Sequence, residues 1–420
     1  MRAGLARFLW LWLLPLVVFI GGLARAFLTG QVDPWDWGLP AALLLAVAGL
    51  MLARRGTALL AWVAMGGAGT AIIFCAIAAA RAPDWGAALG LIAVALLAVF
   101  GAALLRPSPS ASRLRSKRTG VAMFLLILAA LLLWRGPAQP LQTAPDRPKL
   151  AIITGLPLFW SESGQAAQRD APIVTVLRSR FTVMPIDDPS HLAQSGARRL
   201  LLAQPRALTP AQLIAIDQWV RAGGAALVLA DPLLRWPSDL PLGDRRRAPS
   251  ISLLGPLLYH WGFSPLGAVQ PSEIRHVMPD GRLLTLSGMQ LYRASGDRSI
   301  GPDDEPISRK RIGRGAVVLL GDADPIDDRL WLGDPARPLD PRAWVADTPA
   351  RVVHWLGGTS IPGDRRWMRQ GDDVATALRW ALLSGLLWAI VGAVLLRGRA
   401  RVARTGTKSE YPLRNGRENG

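Results

Sequence analysis

Three aspartates stand directly behind short apolar runs. Asp231 closes Ala225–Ala230 (AALVLA), and Asp322 and Asp324 follow Ala316–Leu320 (AVVLL). Thr154 ends a third such run, Lys149–Thr154 (KLAIIT). Continuously apolar runs with β-branched residues suit strands buried on both faces. In open α/β sheets, ligands bind outside the carboxyl ends of the strands. Carboxylates gathered there would hold a small polar ligand or a cation, because hard cations take oxygen ligands. The plainer role, which these residue types favour, is to cap turns and helix starts. Thr154, Asp231, Asp322 and Asp324 are therefore the candidate binding residues, and no catalytic residue or metal centre is assigned.

Other chemistries find little in the chain. The four histidines, His191, His260, His276 and His354, show no H-E-x-x-H spacing and read as surface or packed residues. Ser161 and Ser163 lie in WSESG without a G-x-S-x-G elbow, and read as loop serines. Cys75 is the single cysteine and sits inside an apolar run, which leaves no disulfide framework and no cysteine metal site. Gly21-Gly22 lacks the Lys-Ser/Thr that completes a P-loop, so the chain is not itself an ATPase. No cofactor is implied. Asp303-Asp304-Glu305 and Asp327-Asp328 read as solvated loops.

The elements that must carry these residues fall into two kinds. Six apolar segments stand out: Phe8–Phe27, Trp37–Ala53, Thr57–Ala80, Gly86–Leu105, Gly120–Trp134 and Val374–Leu396. About 20 helical residues cross a bilayer core of roughly 30 Å. The fifth segment spans only about 22 Å at the helical rise, so it needs its flanks or a thinned bilayer. Between the fifth and sixth lies an ordinary mixed sequence. The expected organisation is an N-terminal membrane region over 8–134, a Pro-rich linker over 135–147, an α/β domain over 148–365, a last span over 374–396 and a basic tail over 397–420.

The formal charge of +18 is unevenly placed. Residues before 148 carry 13 Lys/Arg against 4 Asp/Glu, whereas 148–372 carries 27 against 23. The basic excess thus borders the apolar segments, where it sets orientation. Nucleic-acid binding would place it on the soluble domain, so no nucleic-acid partner is expected. Arg54 and Arg55, the cluster Arg106–Arg118 and the arginines after Leu396 alternate with loops carrying Asp33, Asp36 and Asp84. The positive-inside rule then puts both termini in the cytoplasm and 148–365 in the periplasm of a multi-pass inner-membrane protein. No acidic residue or histidine sits in the middle of a span, where an ion-coupled transporter would normally need one. The Gly66-Gly67-Ala68-Gly69 cluster reads as a site of close helix packing.

Within the soluble stretch, Phe181–Met184 and Arg199–Ala203 add two strands. Thr209 caps a helix that opens on Pro210, shows an apolar face at Leu213, Ile216, Trp219 and Val220, and ends at Gly223-Gly224. With AALVLA behind it, this is a β–α–β unit whose natural home is a parallel sheet. Thr348–Leu356 reads as a closing helix. The middle, about 237–310, reads as a β-rich insertion including Arg282–Leu286 and Gln290–Tyr292.

The run Leu200–Asp231, with Pro205, Leu208, Thr209, Ile216, Trp219, Gly223, Gly224, Asp231 and Pro232, resembles auxiliary components of ABC-type transport systems related to the gliding-motility GldG proteins. Gly315–Asp324 (GAVVLLGDAD) looks like that family's late strand. The resemblance implies a doubly wound, flavodoxin-like domain of the class I amidotransferase type outside the membrane. The cysteine nucleophile of amidotransferase chemistry is missing from the soluble stretch.

The expected fold class is therefore membrane α-helical plus α/β, about six transmembrane helices with an inserted doubly wound extracytoplasmic domain. The expected function is that of a non-catalytic, membrane-anchored auxiliary or binding component of an ABC-type transport or envelope complex. Its partners would be the bilayer and, from the resemblance, an ABC-type ATPase and permease. Two alternatives stand beside it: a permease or channel subunit formed by the spans, and an envelope-acting hydrolase using the acidic rim.

Overall fold

The computed structural model describes residues 2–106, 112–162, 169–295 and 306–405. Ser163, the acidic run Asp303-Asp304-Glu305 and the end of the basic tail lie outside the described residues. The chain divides into two compact units, one of residues 1–137 with 368–420 and one of residues 138–367.

The first unit opens with five helices: α1 (Arg2–Thr29), α2 (Gly38–Leu52), α3 (Thr57–Ala78), α4 (Trp85–Leu105) and α5 (Ser112–Arg135). Their starts follow local rules. Asp33 accepts from the Trp35 amide at 3.0 Å and opens a short 3-10 turn, Pro34–Trp37, that runs into α2. Asp84 caps α4 by accepting from the Gly86 and Ala87 amides. The fifth helix is longer than the apolar run within it. Its membrane-compatible part, Ser116–Arg135, has 20 residues, so it needs no thinned bilayer. Polar residues at 116–119 are good enough helix formers to continue the helix, and apolarity alone had marked its start too late.

The second unit is built around a six-stranded sheet. Its strands are β1 (Lys149–Thr154), β2 (Thr182–Pro185), β3 (Arg199–Ala203), β4 (Ala225–Leu229), β7 (Ile307–Ile312) and β8 (Gly315–Leu320); β5 (Phe263–Val277) and β6 (Leu283–Ala294) form a separate hairpin sheet. The order across the large sheet is β2-β1-β3-β4-β8-β7. All neighbours are parallel except β7, which runs antiparallel to β8 at the edge. The helices of this unit are α6 (Pro172–Arg180), α7 (Pro210–Arg221), α8 (Gly255–His260), α9 (Asp328–Trp331) and α10 (Thr348–Trp355).

Strand alternation divides the core. Leu150, Ile152, Leu201, Leu227, Leu229 and Leu320 point to one face, where residues of α6, α10 and β6 cover them. Ala151, Ile153, Leu200, Leu202, Val228 and Leu319 point to the other, under α7 and α8. With both faces covered, the central strands β1, β3, β4 and β8 are apolar almost throughout, whereas the edge strand β7 carries Arg309, Lys310 and Arg311. The β–α–β unit forms as expected, with a full capping box: Thr209 accepts from Gln212 N, and the Gln212 side chain accepts from Thr209 N.

The insertion is more regular than its composition suggests. Leu283–Leu286 and Gln290–Tyr292 belong to one 12-residue strand, β6, which Arg282 precedes and which is carried through Gly288 at a positive φ of 78°. Its partner β5 extends through Pro265, Gly267 and Pro271, with register shifts between Leu266 and Glu273. Proline is tolerated there because each strand of a two-stranded sheet is an edge.

The chain returns to the first unit through α11 (Gly371–Thr405), which carries Asp372 and Asp373 in its first turn, where acidic residues suit the helix dipole. Among the described residues, six helices, including Gly371–Leu396 of α11, are long and apolar enough to cross a membrane. The chain is a multi-pass membrane protein with an inserted α/β sheet domain.

Candidate binding site at the carboxyl edge of the sheet

Thr154, Ala203, Leu229 and Leu320 are register partners across β1, β3, β4 and β8, so these four strands end at one level. The residues just beyond them form the rim. Asp231, Asp322 and Asp324 meet there. All three are buried, and one carboxylate oxygen from each lies within 4.8 Å of the others.

Each carboxylate is also committed to backbone. Asp231 accepts from Leu233 N at 2.7 Å and from Ala323 N at 3.1 Å. Asp322 accepts from Ser287 N at 2.6 Å and from Asp324 N at 2.9 Å. Asp324 accepts from Arg235 N through both oxygens, at 3.1 and 2.9 Å. The trio therefore ties the chain leaving β4, the chain leaving β8 and the middle of β6 into one knot.

Burial governs the electrostatics. It pushes the Asp231 carboxyl up to about 6 against the opposing pull of the Ala323 and Leu233 amides. Burial, followed by the charge of Asp231, raises Asp324 to about 7 and Asp322 well above the usual carboxylate range. Buried carboxyls this close share protons, because neighbouring like charges disfavour joint ionisation. A divalent cation would supply the missing positive charge, and three carboxylate oxygens are ligands it would accept. Through its bonds to backbone amides the group also staples the three segments together.

Thr154 does not join the trio. It ends β1, with β3 between it and β4, and its hydroxyl accepts from Leu156 N at 2.9 Å. The residue that links the two positions is Gln204, which the sequence reading did not single out. It is fully buried at a positive φ of 42°. Its amide donates to the carbonyls of Asp231 and Pro249 and accepts from Asp231 N, while its own carbonyl accepts from Gly155 N. The Asp327-Asp328 pair is not a solvated loop either. Asp327 is 2% exposed, caps α9 and pairs with Arg329. Burial and the Asp327 charge raise the pKa of Asp328.

Beside this knot lies an open cleft of about 360 Å³. The loop after β1 contributes Trp160 and Glu162, and the loop after β4 contributes Trp236, Ser238 and Asp239. Glu162 is held in place: the Ser238 hydroxyl donates to its two oxygens at 3.0 and 2.9 Å, and Asp239 N donates at 2.9 Å. Asp170, paired with Arg178, and Asp328 complete the polar wall. A mixed tryptophan and carboxyl lining at strand ends is the one signal that could have marked this cleft from sequence, and the two tryptophans lie 76 residues apart.

Residues 147–265 match a family described as an ABC-type uncharacterized transport system. The resemblance carried by Leu200–Asp231 lies wholly inside the matched stretch, which also holds Thr154, Gln204, Asp231 and most of the cleft. Asp322, Asp324 and Asp328 come from beyond it. No curated protein matches the chain. Solved structures with a distant likeness include the cytoplasmic protein STM3548 from Salmonella typhimurium, at 12% identity over 51% of this chain and 100% of that one, with a TM-score of 0.32. A catalytic mutant of Gan42B, a GH42 β-galactosidase from G. stearothermophilus, shows 13% identity and a TM-score of 0.27 over 56% of this chain. A β-galactosidase from Halorubrum lacusprofundi shows 14% identity over 56% of this chain and 34% of its own, with a TM-score of 0.28. The chain spans 38% of the length of Gan42B. At TM-scores this low the likeness carries no weight for activity.

Proposed function

We propose that the chain is a membrane-anchored auxiliary component of an ABC-type transport or envelope complex, whose extracytoplasmic α/β domain contacts a ligand or partner through the carboxyl edge of its sheet. The family of residues 147–265 supports the transport context. The parallel order β2-β1-β3-β4-β8 supports reading the domain as flavodoxin-like. The observation that carries the binding role is the rim itself. Its buried carboxylates are all engaged by backbone amides, which leaves the neighbouring cleft as the accessible feature. The charge pattern of the loops supports both termini in the cytoplasm and the domain outside.

The test is in-cell crosslinking followed by affinity purification from native membranes, with reporter fusions placed after Gln139 and after Leu396. Recovery of a P-loop ATPase and an exported reporter at Gln139 are expected. A cytoplasmic reporter at Gln139 would overturn the topology. Flux through liposomes by the chain alone would favour a permease.

A second reading is favoured by one observation. Asp328, whose pKa is raised, faces the same cleft as the acceptor carboxylate Glu162. Two carboxyls facing one cleft can divide acid and base roles in hydrolases. Turnover of an envelope-type glycoside or ester by the full-length protein, lost in Asp328→Asn, would establish an envelope-acting hydrolase instead.

A further inference from the structure

The cleft beside the carboxylate knot has a lining that selects for a particular kind of ligand. Its two half-buried tryptophans enter from different loops, Trp160 after β1 and Trp236 after β4. Indole faces are flat, apolar surfaces whose area can be covered by an equally flat, weakly polar face. The carboxylate of Glu162 is fixed by Ser238 and Asp239 but keeps lone pairs beyond those bonds, since an ionised carboxylate has about four acceptor sites. A ligand meeting that wall must donate hydrogen bonds.

Charge narrows the choice between an ammonium and a hydroxyl donor. Asp170 is neutralised by Arg178, whose Nε lies 2.5 Å from it. Arg169 also lines the cleft, and the Asp328 carboxyl is shifted toward its neutral form. Asp239 stands beside Glu162 as a second acidic group, so the wall is rich in acceptors with only part of its charge cancelled. The flat indole faces and the fixed acceptors suit a ring bearing hydroxyl donors better than an unbranched cation. The rim is stiffened by Pro157, Pro172, Pro237 and Pro335, whose fixed φ values reduce the ordering cost of binding. The volume of about 360 Å³ falls at the lower end of small-molecule sites.

We propose that this cleft binds a neutral glycan unit, with a sugar ring stacked on Trp236 and its hydroxyls donating to Glu162. Pyranose rings combine an apolar C–H face with a girdle of hydroxyl donors, which is the combination the lining asks for. The proposal rests on reading the α/β domain as a ligand-contacting domain, but not on the identity of the transport partner.

The test uses the full-length protein in lauryldimethylamine oxide, a detergent without a sugar head group. Calorimetric titrations with cellobiose, chitobiose and mannobiose are set against choline and putrescine. Binding of at least one disaccharide and of neither cation is expected. Trp236→Ala should weaken that binding at least about tenfold, and Trp236→Phe should keep most of it. Glu162→Gln, which preserves an acceptor for Ser238, serves as a second variant and should also weaken binding, with an unchanged melting temperature. Absence of disaccharide binding at millimolar concentration, binding unaffected by both variants, or preferential binding of the cations would each overturn the proposal. An ATPase recovered by crosslinking together with a failed titration would leave the auxiliary role standing and remove the glycan alone.

Discussion

Trp62 of α3 and Trp388 of α11 hold each other reciprocally. The indole Nε1 of Trp62 donates to the Trp388 carbonyl at 3.0 Å, and Trp388 Nε1 donates to the Trp62 carbonyl at 2.8 Å. The rings stack with centroids 4.3 Å apart. Each ring also needs a glycine on the opposite helix: a Cβ at Gly66 would press on the Trp388 indole, and one at Gly392 on the Trp62 indole. The last span, 326 residues away in sequence, is thereby joined to the third by a symmetrical clasp.

Breaking this clasp should be non-additive. Trp62→Ala and Trp388→Ala each remove the stack and both cross-helix bonds depend on the pair's geometry, so each should cost about 1–3 kcal/mol in detergent. The double variant should cost little more than either single one. Thermal unfolding of the four proteins of the cycle checks this; full additivity would show that the rings act independently.

Asp347 is the second predicted point of failure. Its carboxylate accepts from Arg365 Nε and Trp367 Nε1, both at 2.5 Å, and from Leu283 N at 3.0 Å. Arg365 is nearly buried and stacks on Trp344 at 4.8 Å. Asp347→Ala leaves that guanidinium buried without its counter-charge, which costs about 3–5 kcal/mol. Limited proteolysis of the chain around residues 357–367 should accelerate strongly, whereas Asp364→Ala, at an exposed side chain, should change little.

The carboxylate knot sets a pH dependence of definite sign. Asp231 and Asp324 have folded-state pKa values raised to about 6 and about 7, and Asp322 is raised well above the usual carboxylate range. An acid with a raised folded pKa binds more protons folded than unfolded. Stability is therefore fully retained below the unfolded value near 4 and falls as pH rises through the folded values. The melting temperature of the α/β unit within the full chain should drop between pH 5 and pH 8. Asp324→Asn, which still offers Arg235 N an acceptor, should flatten that drop and raise stability at pH 8 by roughly 1–2 kcal/mol. Millimolar calcium or magnesium that lifts the parent at pH 8, but not the variant, would identify a cation site; no lift would leave the knot as a loop tie.

Gln204 should prove as important as the aspartates. Gln204→Ala strands the buried amide and carbonyl of Asp231, at about 1–3 kcal/mol for each unsatisfied group. Gln204→Glu should be destabilising as well, because it replaces the amide that donates to two carbonyls with an acceptor. Chemical denaturation of the detergent-solubilised protein measures both.

Local periodicity determined much of this protein. Apolar runs of membrane length specified six helices, and the continuous hydrophobicity of KLAIIT, RLLLA, AALVLA and AVVLL specified parallel strands covered on both faces. Thr209, Pro210 and Gly223-Gly224 marked the ends of α7 because caps depend on neighbours a few residues away. Which rim residues meet was decided by crossovers. The strand order puts β3 between β1 and β4, so Asp231, Asp322 and Asp324 converge while Thr154 stays apart. Gln204 acquires its role only because the loops after β4 and before α8 close over it. The clasp of Trp62 and Trp388 and the cleft between Trp160 and Trp236 join residues far apart in the chain, and no local pattern encodes such pairings; tertiary packing alone brings them within reach.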